Sequence, residues 1–168
     1  RAAKKIIKSN GLIVIEVPDT DYGRIRISQF TAQTSRELRK GIQQLVDNGA
    51  KGIILDLRGN PGGLLSATVD VASEFLTDGL VTYEVDSRGK KDEWKVKKGG
   101  HFPEIPMVTL VDNFSASGSE VLSGALQDQG RSVVIGTNTF GKGSVNLLRG
   151  LSNGGGVYLT IGRWFTPN

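Results

Sequence analysis

The stretch that decides the fold is Asn113-Phe-Ser-Ala-Ser-Gly-Ser-Glu-Val-Leu-Ser-Gly-Ala-Leu-Gln-Asp128. It begins with small hydroxyl and glycine residues and continues as an amphipathic run whose apolar residues recur at helical spacing. The preceding run, residues 105–111, is short, apolar and bounded by a proline and an aspartate, which is typical of a buried strand. A strand therefore leads through a tight turn into a helix, and Ser117 lies where backbone N–H groups and the positive end of the helix dipole converge.

Two interpretations of Ser117 follow from this position. Ser117-x-x-Glu120 is a capping box, and a serine before an apolar helix commonly serves only as a cap. The alternative is a nucleophile, although the stretch is not the Gly-x-Ser-x-Gly elbow, because Ser115 and Ser119 occupy the glycine positions. A nucleophilic Ser117 therefore needs a second group that activates it.

The composition excludes several kinds of site. The chain of 168 residues has the apolar and charged content of one soluble globular domain. It contains no cysteine, which excludes disulfides, thiolate catalysis and cysteine-bound zinc, and its single histidine, His101, cannot build a multi-histidine site. We therefore expect neither a metal nor a cofactor.

The charge pattern and the hydropathy limit the partners. The net charge is +4, and part of the basic excess falls in residues 86–98, where acidic residues are interleaved with it. This pattern favours a solvated hairpin over a nucleic-acid site. No apolar run reaches 18 residues, so we expect no membrane span.

The rest of the chain alternates strands and helices. We predict a linker over residues 1–10, strands over 12–17, 22–27, 52–57 and 132–135, a hairpin over 80–96, and two further helices. Thr34-x-x-Glu37 is predicted to cap the first helix, and the second starts near Leu65. Such alternation predicts one α/β domain with a mainly parallel sheet and flanking helices.

The loop Gly136-Thr-Asn-Thr-Phe-Gly-Lys-Gly-Ser144 is one residue away from a phosphate-binding loop, because Gly143 stands where Ser or Thr would hold magnesium. A phosphate-binding loop opens a helix. Here two extended runs follow, which predict a hairpin over residues 144–161 and argue against nucleotide binding.

Lys142 in this loop is a candidate general base. A lysine can accept a proton only if its pKa falls from the ordinary value of about 10.4, which burial without a carboxylate partner would cause. Serine–lysine pairs are a known variant of the nucleophile–base arrangement. A histidine base would have to be His101, in the Gly99-Gly-His-Phe102 loop, which we consider the weaker candidate.

Four blocks of the sequence together resemble the carboxyl-terminal processing, or tail-specific, serine proteases. These are residues 56–63, 114–120, 124–128 and 139–143, in the family's order. The resemblance implies a Clp-protease/crotonase-like core with Ser117 as nucleophile and Lys142 as general base, the two within hydrogen-bond reach. It also implies an oxyanion hole formed by the N–H of Gly118 and that of Gly63 or, as an alternative, Gly62. We expect valine at Gly63 to abolish turnover without unfolding the chain.

The chain also departs from this family. The family usually has alanine at the position of Gly118. It also has glutamine where Asn146 stands, and that residue is thought to orient the lysine. No segment resembles the family's PDZ domain or its helical dimerisation arm, so residues 11–168 are expected to be a catalytic core alone. A catalytically weak or inactive relative, acting as a peptide-binding or assembly module, is the alternative.

The resemblance implies polypeptide substrates cleaved near their C-termini. It also implies an extracytoplasmic location, such as the periplasm, cell envelope or thylakoid lumen. The absence of cysteine is compatible with an oxidising compartment. The sequence does not predict the oligomeric state.

Overall fold

The computed structural model describes residues 5–9 and 11–168. The predicted linker, residues 1–10, lies partly outside the described residues. Its described part, Lys5–Ser9, is strand β1 and pairs antiparallel with β2 (Leu12–Glu16).

A six-stranded sheet forms the centre of the fold. Its order is β1-β2-β3-β4-β7-β8, with β3 at Tyr22–Ile27, β4 at Gly52–Asp56, β7 at Met107–Val111 and β8 at Val133–Gly136. The β3-β4-β7-β8 half is parallel, and the β1-β2-β3 half is antiparallel.

A second, four-stranded sheet has the order β6-β5-β10-β9 and is antiparallel throughout. Its strands are β5 (Leu80–Asp86), β6 (Lys91–Lys95), β9 (Ser144–Gly150) and β10 (Gly156–Phe165). The predicted mainly parallel sheet is therefore wrong as a description of the whole domain. The physical reason is the short links between successive strands, which join antiparallel neighbours, whereas parallel neighbours need long crossovers.

Three helices connect the parallel strands. They are α1 (Thr34–Asp47), α2 (Leu65–Phe75) and α3 (Gly118–Asp128). The parallel strands follow chain order across the sheet and such crossovers are right-handed, so the three helices lie on one face. α2 packs between α1 and α3.

The start of α1 differs from its prediction. Thr34 is the first helical residue, and its buried hydroxyl accepts a hydrogen bond of 2.9 Å from the N–H of Thr31 in the preceding turn. Its predicted capping role is wrong, because the hydroxyl faces back toward the turn. The apolar stripe predicted for this helix, Leu38, Ile42, Leu45 and Val46, is confirmed at its first three positions, which are fully buried, and is wrong at Val46, which is exposed.

The core lies between the helices and the central sheet. β4 is almost fully buried, as its continuous apolar run predicts. The largest buried side chains come from both layers and include Ile25, Ile27, Leu55, Leu57, Phe75 and Leu122. Each contributes about 1.5–3 kcal/mol through burial. This packing makes the carboxyl ends of β4 and β7 a rigid base for the loops that follow them.

The basic segment forms the predicted hairpin. Four of its basic residues pair with acidic residues of the same hairpin: Arg88 with Asp86, Lys90 with Asp92, and Lys91 and Lys95 with Glu93. Lys97 pairs instead with Asp70 on α2. Across residues 5–9 and 11–168, none of the helices is both long and apolar enough to span a bilayer.

Candidate active site

The turn between β7 and α3 holds Ser117 in an unusual backbone conformation. Its φ of 54° and ψ of −112° lie outside the extended region that an ordinary N-cap adopts. Such a conformation costs about 1–3 kcal/mol and persists only where surrounding contacts impose it. A simple cap does not require this strain, which is typical of a functional residue.

The two serines beside Ser117 have structural partners. The hydroxyl of Ser115 donates to the carbonyl of Leu57 at 2.9 Å, and that of Ser119 donates to the carbonyl of Asn60 at 3.0 Å. Both side chains are fully buried. They therefore attach the turn to the loop after β4.

That loop, residues 58–63, approaches Ser117 closely. A Cβ built on Gly62 would lie 2.8 Å from Ser117 Cβ and 2.9 Å from the nitrogen of Gly118. Such distances are shorter than van der Waals contact, so position 62 requires glycine.

The hydrogen bonds distinguish between Gly62 and Gly63, the two alternatives for the second donor of the oxyanion hole. The N–H of Gly62 donates to Asn60 Oδ1 at 2.8 Å. Among the described residues, the N–H groups of Gly63 and Gly118 have no protein acceptor. Gly63 and Gly118 are therefore the pair whose donors are available for a substrate oxygen.

Gly63 itself is tightly enclosed. Its φ is +148°, and a Cβ built on it would lie 2.2 Å from the carbonyl oxygen of Phe30. Phe30 and Gly63 also form a parallel bridge. The expectation that valine at Gly63 would leave the fold intact is therefore wrong, because the added side chain has no room.

Gly118 departs from the family's alanine for a local reason. A Cβ at this position would lie 2.6 Å from Thr68 Oγ1 on α2 and 3.1 Å from Phe30 Cδ2. Alanine at position 118 of this chain would therefore require the Thr68 side chain to move.

Glu120 connects Ser117 to the loop that carries Lys142. Its Oε2 accepts from the N–H of Ser117 at 2.8 Å and from the N–H of Lys142 at 3.0 Å. Its Oε1 accepts from the hydroxyl of Thr139 at 2.8 Å and from the N–H of Gly141 at 2.5 Å. The sequence predicted only the capping contact, which the bond to Ser117 confirms. The three contacts with the loop join residues about twenty positions apart in the chain, so no local sequence pattern predicts them.

Ser117 and Lys142 line one pocket of about 230 Å³. Its other lining residues are Thr82, Glu120, Val121, Gly141, Gly143, Trp164, Phe165 and Thr166. The burial expected for Lys142 is wrong for the uncomplexed chain, because its side chain is exposed in a loop of glycines that provides little cover. Within the described residues its ammonium makes no hydrogen bond and no ion pair. The two side chains thus share a pocket, and the structure contains no direct bond between them.

The other two candidate residues lie elsewhere. Asn146 is on β9, where its amide donates to Ser144 Oγ at 3.0 Å and accepts from Thr160 Oγ1 at 2.8 Å. His101 Nδ1 lies 2.8 Å from the carboxylate of Glu74, and His101 is not among the residues that line the Ser117 pocket.

Two aspartates support the loops, and sequence reasoning assigned neither a role. Burial alone would raise the pKa of Asp56, but hydrogen bonds from Arg58 and Arg24 outweigh it and lower the pKa from 3.8 to about 2. Asp112 accepts from the N–H of Gly59 at 2.9 Å, which joins the ends of β4 and β7. Their only sequence signal is an acidic residue at the end of a strand.

The loop 136–144, whose sequence is one residue away from a phosphate-binding loop, has no helix after it. Ser144 begins β9, which pairs with β10 as the predicted hairpin. This confirms the sequence argument against a nucleotide-binding loop.

Known proteins share this sequence and fold. A carboxyl-terminal-processing protease of Synechocystis sp. is 41% identical over 150 residues, which are 89% of this chain and 35% of that protein. Carboxyl-terminal-processing peptidase 3, chloroplastic, of Arabidopsis thaliana is 32% identical over 164 residues, covering 95% of this chain and 32% of that protein. The chain thus spans about a third of the length of these relatives.

A solved structure called photosystem II D1 C-terminal processing protease is 36% identical to this chain, with a TM-score of 0.81. The match covers 87% of this chain and 38% of the solved one. The family description Peptidase family S41 matches residues 21–168, which include every residue considered above for catalysis. The chain therefore belongs to peptidase family S41.

Proposed function

We propose that this chain is the catalytic core of a serine endopeptidase that cleaves polypeptides near their C-termini through a Ser117–Lys142 dyad. The observation that carries the proposal is the bridge through Glu120. One carboxylate oxygen holds the N–H of Ser117 and the N–H of Lys142, so the two residues emerge side by side.

In the proposed reaction, the neutral amine of Lys142 takes the proton of the Ser117 hydroxyl, and Oγ attacks the substrate carbonyl. The N–H groups of Gly63 and Gly118 stabilise the oxyanion, and Lys142 returns the proton to the leaving amine as the peptide bond breaks. Water then attacks the acyl-enzyme with the same base, releasing the new C-terminus and restoring Ser117.

Lys142 must change its side-chain conformation for this step. Its ammonium is exposed in the uncomplexed chain, and catalytic hydrogen bonds often form only in the substrate complex. The backbone nitrogens of Ser117 and Lys142 are no farther apart than their two distances to Glu120 Oε2 combined, so the two residues leave the backbone close to each other. A peptide lying over the pocket would remove water from the ammonium.

Asn146 is proposed to orient Lys142 through the strand that follows the lysine loop. It lies four residues after Lys142, and its bonds to Ser144 and Thr160 fix the strand that ends the lysine loop. Under this proposal, Asn146→Ala lowers kcat because the loop loses its support on one side.

The support for an extracytoplasmic location comes from the relatives, one of which carries the word chloroplastic in its name. The absence of cysteine is compatible with such a location. For the substrate, the proposal extends only to a polypeptide with an accessible C-terminal segment.

The test is labelling with a serine-directed phosphonate, followed by peptide cleavage read by mass spectrometry. The native chain should be labelled at Ser117 and should cleave, and both Ser117→Ala and Lys142→Ala should do neither. A native chain that binds peptide without labelling or cleavage would instead identify a non-catalytic peptide-binding module.

A further inference from the structure

We propose that Glu120 is a positioning residue that holds the nucleophile and the base of this site in register. This inference rests on the proposed function, and the role that it assigns acts through the backbone of Ser117 and Lys142. The argument comes from the number, direction and origin of the hydrogen bonds to one carboxylate.

The contacts of Glu120 exceed what a helix cap needs. A capping box uses the carboxylate once, to accept from the N–H of the capping residue. Here that bond to Ser117 is joined by three from Thr139, Gly141 and Lys142, all in the loop between β8 and β9. The carboxylate thus accepts four hydrogen bonds, two at each oxygen.

The loop depends strongly on these bonds. Gly141 has a φ of +83°, and within the described chain its amide and that of Lys142 are both held by Glu120. Other backbone bonds of residues 140–143 run from the N–H of Phe140 to the carbonyl of Ser115, from the N–H of Gly143 to the carbonyl of Gly141, and from the N–H of Trp164 to the carbonyl of Gly143. Without the carboxylate, the amides of Gly141 and Lys142 would lose the bonds that join them to α3.

Glutamine cannot replace glutamate in this position. Three of the four partners are backbone N–H groups, which can only donate, and hydrogen bonds to a carboxylate are stronger than those between neutral groups. A glutamine side chain offers one acceptor oxygen and directs an NH₂ group at the other pair of partners. Glu120→Gln therefore keeps the size of the side chain but breaks either the bonds from Ser117 and Lys142 or, since the Thr139 hydroxyl can also accept, the bond from Gly141.

The catalytic consequence is misplacement of the base. A displacement of about 1 Å at a reacting group can cost on the order of a hundredfold in rate. We expect Glu120→Gln to lower kcat on peptide by about 10- to 100-fold with KM within about twofold, since glutamine keeps the size of the side chain that lines the pocket. The rate of phosphonate labelling should fall by the same factor.

The matched control is Glu37→Gln. Glu37 is the acidic residue in the first turn of α1, as Glu120 is in the first turn of α3. This variant removes a charge at the same kind of helix position away from the site, so kcat should stay within about twofold of the native value.

A smaller change keeps the test valid if Glu120→Gln proves unstable. Thr139→Val removes one hydroxyl donor to Glu120 and keeps the side-chain shape, whereas Thr139→Ser keeps the donor. Thr139→Val should lower kcat several-fold, and Thr139→Ser should restore it.

Hydrogen exchange gives a readout that does not need activity. The amides of Gly141 and Lys142 should exchange at least about tenfold faster in Glu120→Gln than in the native chain, while those of the central sheet stay protected. Unchanged exchange at these two amides, or a native kcat in Glu120→Gln, overturns the positioning role. Failure of the native chain to label or cleave would overturn the proposed function instead, and the exchange result would still test the bridge.

Discussion

The hydroxyl of Ser119 donates a 3.0 Å hydrogen bond to the backbone carbonyl of Asn60, so the first turn of α3 is joined directly to the glycine loop. Both residues are fully buried. The same carbonyl accepts from the N–H of Ala116 at 3.0 Å. The two candidate oxyanion donors, Gly63 and Gly118, therefore belong to segments that cannot shift independently.

Removing this link should affect the proposed oxyanion hole. We expect Ser119→Ala to lower the free energy of unfolding by about 1 kcal/mol, the usual net value of one hydrogen bond, and to lower kcat several-fold. Ser123→Ala is the control, because the hydroxyl of Ser123 bonds only within α3, to the carbonyl of Glu120. Urea unfolding and peptide kinetics measure both effects; equal kcat values in the two variants would mean that the link does not position the donors.

Alanine at position 118 should be tolerated only after a second change. Gly118→Ala alone places a Cβ 2.6 Å from Thr68 Oγ1, and overpacking of this kind costs about 1–3 kcal/mol of unfolding free energy. Combining it with Thr68→Ala removes that contact and should recover at least half of the loss. Chemical unfolding of the two single variants and the double variant gives the coupling energy, and strict additivity would contradict the predicted clash.

Acid should remove stability contributed by Asp56. Its pKa is lowered to about 2 in the folded chain, so the ionised carboxylate favours folding above the unfolded value near 4. This contribution, about 2 kcal/mol, is complete at neutral pH and is lost as the pH falls from about 4 to 2.

Asp56→Asn tests that assignment. Removing one partner of a buried ion pair should lower the unfolding free energy by about 3 kcal/mol at pH 7, and the dependence on pH between 4 and 2 should become weaker. Asp21→Asn is the control, since Asp21 pairs with Lys51 at the exposed surface and should change stability by less than 1 kcal/mol. If unfolding of Asp56→Asn keeps the same pH dependence as the native chain and Asp21→Asn, that dependence belongs to other carboxylates, such as Glu74.

The identity of the base can be tested with two substitutions. Lys142→Arg keeps the positive charge but supplies no group that deprotonates, so kcat should fall by about a hundredfold or more. His101→Ala should keep kcat near the native value, because His101 bonds to Glu74 and lies outside the pocket of Ser117. The measurement is steady-state cleavage of one peptide by both variants. A native kcat in Lys142→Arg together with a large loss in His101→Ala would identify His101 as the base.

Local patterns in the sequence predicted the elements of the fold well. The helical spacing of Leu38, Ile42 and Leu45 and the hairpin after Lys142 depend on residues close in the chain. Such patterns carry their own hydrophobic period or turn residues. They do not specify which strands pair, and for this reason the prediction of a mainly parallel sheet missed the antiparallel pairs. The nucleophile and the base were assigned through a family resemblance, and their direct contact stays a prediction.

Contacts between distant segments could not be predicted from local sequence. The strand, the turn and the helix around Ser117 could be, because apolar spacing and small residues act over a few positions. The bonds from Ser119 to Asn60 and from Lys142 to Glu120 join residues 59 and 22 positions apart. No local propensity encodes them, since they exist only once the packed core brings the ends of β4 and β7 and the lysine loop together.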